Sequence, residues 1–123
     1  MSKRLEDLEI YNLSEKFAAE IWDIVIGWDY FAKDTVGKQL VRSSDSISAN
    51  IAEGFGRFHF KENKNFCYFS RGSLLETKTW LHKARSRNLV SEEKHTILIK
   101  ELEQIHIKLN TYIKYIGSMT NNQ

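Results

Sequence analysis

The sequence predicts an all-α protein, an antiparallel up-down-up-down four-helix bundle, on three observations. Apolar residues recur at alternating steps of three and four in four successive segments, no proline interrupts the 123 residues, and short polar or glycine-containing stretches join the segments. Such stepping gathers the apolar side chains of a segment on one helical face. Without proline, long helices run unbroken. Short connections make consecutive helices antiparallel neighbours. Residues 1–123 therefore read as one domain, with flexible ends at about 1–6 and 118–123.

In the first segment Phe17, Ile21, Ile24, Trp28 and Phe31 form the stripe, with Glu20, Asp23 and Asp29 between them. Asp7 or Asn12 starts this helix, and Asn12 has Glu15 three residues on, as in a capping box. The stripe fades in Lys33-Asp34-Thr35-Val36-Gly37, which reads as a turn. The second segment carries Leu40, Ser44, Ile47, Ile51 and Phe55 among small residues (Ser43, Ser46, Ser48, Ala49, Ala52) that permit close helix approach. Gly54-Phe55-Gly56 ends it, as glycines do at helix C-termini. With no strand before this pair and no Lys-Ser/Thr after it, it is not a phosphate-binding loop.

The third segment runs from about Lys61 to Arg87, with Phe66, Phe69, Ser73, Thr77, Trp80 and Ala84 inward and Leu74 and Leu81 beside them. Asn88 ends it. Ser91 caps the fourth helix, with Glu92 and Glu93 in the first turn where the helix dipole favours acids. The fourth segment repeats most regularly, through Leu98, Leu102, Ile105, Leu109, Tyr112 and Ile116, before Gly117 and a frayed tail.

Composition excludes several classes. At 41% hydrophobic and 28% charged the chain is not disordered. No apolar run reaches the length of a signal peptide or a membrane span, so the expected location is the cytoplasm. In that setting Asn12-Leu13-Ser14 is a chance glycosylation sequon. Cys67 stands alone, so no disulfide framework exists.

The net charge of +2 conceals a strong asymmetry. Residues 1–53 carry six basic and ten acidic side chains, residues 54–90 eight and two, and residues 91–123 four of each. Within the basic block Lys64, Arg71, Lys78 and Arg85 recur every seven residues. They line one face of the third helix over roughly 30 Å. Arg57 lies one further heptad back, beyond the glycine turn. A cationic stripe of this length could follow a phosphate backbone, with Phe58, Phe60 and Tyr68 near enough to stack on bases. It could equally be a solvated face that meets the acidic first half of the same or a neighbouring subunit.

The sequence offers no catalytic, cofactor or metal site. His59, His82, His95 and His106 include no pair at i, i+4, and Cys67 lacks a partner at ligand spacing. His82 reads as an ordinary half-buried residue and Cys67 as a buried structural thiol. Ser70-Arg71-Gly72-Ser73 is not a nucleophile elbow. Asn50 and Glu53 share a face of the second helix, and Ser73 and Glu76 repeat that spacing on the third. These four read as a structural polar network that fixes helix register, rather than as an acid and base. Arg57 or Arg71 would partner its carboxylates.

The run Ser46-Ile47-Ser48-Ala49-Asn50-Ile51-Ala52-Glu53-Gly54-Phe55-Gly56-Arg57 resembles the four-helix-bundle proteins encoded by intervening sequences in bacterial 23S ribosomal RNA genes, the S23 ribosomal-like family. Its signature, Ser-Ile-x-x-Asn-Ile-Ala-Glu-Gly-x-Gly-Arg, matches at each fixed position. Further likenesses are Asp7-Leu8-Glu9-Ile10-Tyr11, the block from Phe66 through Gly72-Ser73-Leu74-Leu75-Glu76, and Leu89-Val90-Ser91-Glu92-Glu93. Together they span about residues 7 to 117. One departure is Gln39-Leu40-Val41-Arg42-Ser43-Ser44, where the family often carries paired arginines. The resemblance implies a non-enzymatic bundle of unsettled molecular role and a ring-like homopentamer. Relatives include the accessory protein of diversity-generating retroelements, which binds nucleic acid beside a reverse transcriptase. The expected function is thus RNA or DNA binding along the basic stripe. The alternative is a structural or protein-interaction module.

Overall fold

The computed structural model describes residues 3–120, and among them the chain is helical with no strand. A 3-10 turn at Leu5–Asp7 leads into α1 (Glu9–Val25). After a break come a single turn at Tyr30–Ala32 and a π-helical turn at Lys33–Gly37, which runs into α2 (Lys38–Phe55). The last two helices are α3 (Phe60–Ser86) and α4 (Glu92–Thr120).

Cross-helix contacts set the topology. Ser48 Oγ on α2 donates to Glu15 Oε2 on α1 at 2.7 Å. Ser70 Oγ on α3 donates to the Ile47 carbonyl at 2.7 Å, and Thr77 Oγ1 donates to Ser43 Oγ at 2.9 Å. Arg71 donates to Asn110 on α4 at 2.9 Å, and Lys108 on α4 pairs with Glu9 at 2.8 Å. Between α2 and α3 the partner number falls as the residue number rises, so these neighbours run antiparallel. One core is shared by all four helices, and Phe17, Ile21, Leu40, Ile47, Leu74, Leu81, Leu102 and Leu109 are fully buried in it. Burying each such side chain contributes about 1.5–3 kcal/mol.

The structure moves several boundaries. The break between the first two helices falls at residues 26–29, not at Lys33–Gly37. Asp29 caps the following turn, its Oδ1 accepting from the Ala32 N–H at 2.9 Å. Phe31 is thereby carried out of the first stripe and lies 77% exposed. Lys33–Gly37 stays helical because Gly37 is buried against α1, where an added Cβ would stand 2.7 Å from Val25 Cγ1. Neither Asp7 nor Asn12 caps α1. Asp7 accepts from the Arg4 N–H, and Asn12 lies inside the helix with its Nδ2 on the Glu6 carbonyl. Leu5, assigned to a flexible end, packs against the core. At the other end α4 continues through Gly117 and Ser118 to Thr120; residues 121–123 of the expected tail lie outside the described residues.

The largest difference is the phase of α3. Its buried residues are Asn63, Cys67, Ser70, Leu74, Thr77, Leu81 and Ala84. Phe69, expected inward, is 58% exposed. The small face of α2 causes this rotation. Helices that approach closely enough to join Ser70 to a backbone carbonyl leave no room for a phenylalanine between them. Gly54 lies at a close approach, where a Cβ would stand 2.9 Å from both the Asn63 carbonyl oxygen and Phe66 Cβ. This glycine supplies space rather than a left-handed turn, and Gly56 has a φ of −77°. The left-handed residue is Asn88, with φ 61°. It closes α3 in a Schellman motif, with Leu89 N–H on the Ala84 carbonyl and Asn88 N–H on that of Arg85. Ser91 Oγ then accepts from the Lys94 N–H at 3.0 Å, so it caps α4 as expected.

Candidate nucleic-acid interface

The new phase of α3 decides where the cations stand. Asn63, Ser70, Thr77 and Ala84 point into the bundle, and each is followed by a cation. One residue further is about 100° around the helix. Lys64, Arg71, Lys78 and Arg85 therefore form a half-buried row along the flank of α3 that faces α4. Arg71 donates to Asn110 on α4, and its guanidinium lies 5.1 Å from the Tyr68 ring centre. Arg85 pairs with Glu92 at 3.6 Å. Lys64 Nζ would lie 3.7 Å from a Cβ placed on Gly117 of α4. Lys64 and Lys78 make no ion pair among the described residues.

Arg57 does not extend this row. Its guanidinium binds Glu53 at 2.6 Å and Glu62 at 3.7 Å, and lies 4.7 Å from the Phe66 ring centre. Two carboxylates neutralise it on the α2 side of α3. Of the aromatic candidates, Tyr68 adjoins the stripe and is 40% exposed, Phe58 is almost fully exposed at the α2–α3 turn, and Phe60 packs on the core.

The four residues read as a polar network are not brought together. Asn50 donates to the Ser46 carbonyl of its own helix. Glu53 holds Arg57, Glu76 accepts from Trp80 Nε1 at 3.4 Å, and the Ser73 carbonyl accepts from Thr77. The polar contacts that fix the α2–α3 register are instead Ser43–Thr77 and Ser70–Ile47. They were missed because serine and threonine on an inward face carry no distinctive spacing.

Titratable groups sort themselves by burial. Burial pushes the Cys67 thiol up to about 12, so it stays protonated at neutral pH and is a poor nucleophile or ligand. The Glu101 carboxyl on α4 is raised, first by burial and then by the hydrogen bond and charge of Glu20 on α1. This pair lines a cleft of about 190 Å³ with Lys16 and Gln104. His82 is exposed rather than half-buried, and its Nδ1 lies 2.9 Å from His95 Nε2 across the α3–α4 turn. Thirteen positions separate them, so no short motif announces the contact. Among the described residues no group of three or more His, Cys, Asp or Glu side chains could hold a metal ion, and no helix is long and apolar enough to cross a membrane.

Known proteins place this architecture. A crystal structure from Bacteroides thetaiotaomicron, of a protein with unknown function from the S23 ribosomal protein family, superimposes with a TM-score of 0.77. It is 23% identical, and the match covers 85% of this chain and 95% of that one. At this identity the likeness shows a shared fold. No curated protein matches. The family model for the 23S rRNA-intervening sequence protein matches residues 6–111. With most of its length inside that match, the chain belongs to the 23S rRNA-intervening sequence protein family.

Proposed function

We propose that this chain is a non-enzymatic, cytoplasmic bundle that assembles with copies of itself and binds RNA or DNA phosphates along the α3–α4 flank. The observation that carries the reading is the state of the stripe. Four cations stand in register over about 30 Å, and among the described residues Arg85 is ion-paired while Lys64, Arg71 and Lys78 are not. Among the described residues no acid of residues 1–53 pairs with these cations. Glu9 pairs with Lys108, Asp34 with Lys38 and Glu53 with Arg57, all away from the stripe. Phosphate contacts of this kind supply affinity with little sequence readout.

A salt titration tests the proposal. Fluorescence anisotropy of a labelled 30-nucleotide RNA should give log K falling linearly with log salt, with a slope of about −2 to −3 for three or four single-strand phosphate contacts. Absence of binding at low salt, or a salt-independent affinity, contradicts it.

Exposed Tyr68 and Leu75 beside the stripe favour a second reading, in which a partner protein docks there. Its acids would pair with the same cations, and a reverse transcriptase is the partner that the retroelement accessory protein suggests. Native mass spectrometry reads the subunit number, with a homopentamer expected. A salt-independent, sequence-independent failure to bind nucleic acid by an intact oligomer would favour this second reading.

A further inference from the structure

We infer that His82 and His95 form a proton-operated clasp that holds the α3–α4 corner closed and regulates the adjoining end of the cationic stripe. The regulatory half rests on the nucleic-acid reading above; the clasp itself does not. His82 is on the last turns of α3 and His95 on the first turn of α4, and the facing nitrogens are 2.9 Å apart. At that distance one nitrogen donates and the other accepts, so a single proton lies between them. A first added proton goes to an outer nitrogen and leaves the N–H···N bond in place. A second must go to the accepting nitrogen, which breaks the bond and sets two imidazolium ions face to face.

The surrounding charges oppose that second proton. His82 and Arg85 face His95 from α3, and Glu92 faces it from α4. Burial, then the charge His82 would carry when protonated and that of Arg85, hold His95 below the ordinary histidine value, against the pull of Glu92. A base depressed in the folded state contributes stability above its unfolded pKa, near 6.5, that is lost as pH falls through the folded value. The clasp is therefore closed at pH 7.5 and opens on acidification. Each proton also adds a charge beside Arg85.

Ring titrations by NMR on the full chain, from pH 7.5 to 5, test the clasp. His95 should titrate below the ordinary histidine range and return toward it in His82→Gln. Exchange of the Asn88 and Leu89 amides, corrected for intrinsic rate, should quicken about threefold or more on acidification in the wild type only. Titration of His95 at the ordinary histidine value, unchanged by His82→Gln, overturns the clasp. RNA affinity should rise on acidification, by about one extra contact in the salt slope. Affinity that does not vary with pH overturns the regulation. A normal clasp with no RNA binding at any pH overturns the parent reading instead.

Discussion

Gly54→Ala should destabilise the bundle by about 2–3 kcal/mol, while Gly72→Ala stabilises it by about 0.5–1 kcal/mol. Both glycines are helical, and alanine in a helix ordinarily gains the smaller amount by reducing the freedom of the unfolded chain. At Gly72, on the exposed face of α3, a Cβ meets nothing within 4 Å, so the gain is realised. At Gly54 it meets Asn63 Oδ1 at 2.6 Å, the Asn63 carbonyl oxygen at 2.9 Å and Phe66 Cβ at 2.9 Å. The amide can swing away. The carbonyl and the Cβ are fixed to α3, so the two helices must part. Separation there loosens the hydrogen bonds of Ser70 and Thr77 to α2 as well. Urea denaturation of the pair of variants checks this, and the two midpoints should move in opposite directions. Equal shifts would show that the α2–α3 approach is not what Gly54 is for.

Lys64→Glu with Lys78→Glu should lower RNA affinity by roughly 100-fold at 0.1 M salt. An exposed ion pair is worth up to about 1 kcal/mol. Two attractions lost and two repulsions created therefore cost about 3 kcal/mol, or roughly two factors of ten. Neither lysine makes an ion pair among the described residues, so stability should hold. Arg71 would be a poorer choice, since it also joins α3 to Asn110 and covers Tyr68. Arg57→Gln is the matching control. Arg57 belongs to Glu53 and Glu62 on the other flank, so its loss should leave RNA affinity within about twofold while weakening the α2–α3 turn. Anisotropy titrations on folded variants, verified by circular dichroism, read both effects.

How much of this was legible in the sequence depended on whether a feature is local. The inward face of α4 could be read directly, because Leu98, Leu102, Ile105 and Leu109 offer one apolar phase and no rival. In α3 two phases compete: Phe66, Phe69 and Trp80 on one side, Cys67, Leu74 and Leu81 on the other. The small face of α2 chooses between them, and that choice is made in three dimensions. Lys33–Gly37 looked like a turn from its charges and glycine, yet the glycine serves a close contact with Val25 on another helix. The heptad of Lys64, Arg71, Lys78 and Arg85 was visible as spacing. What each cation touches was not, and neither was the displacement of Arg57 from the row. The Glu20–Glu101 and His82–His95 pairs join separate helices, so no periodicity could announce them.

Nucleic acid bound along the flank of α3 that faces α4 leaves a direct physical trace. Ultraviolet cross-linking of bound RNA, followed by mass spectrometry of the attached peptides, locates it directly. Cross-links should concentrate in α3 around Lys64, Tyr68, Arg71 and Lys78, with further attachment on the facing residues of α4. Cross-links confined to the acidic outer face of α1, or spread evenly over the surface, would contradict that placement.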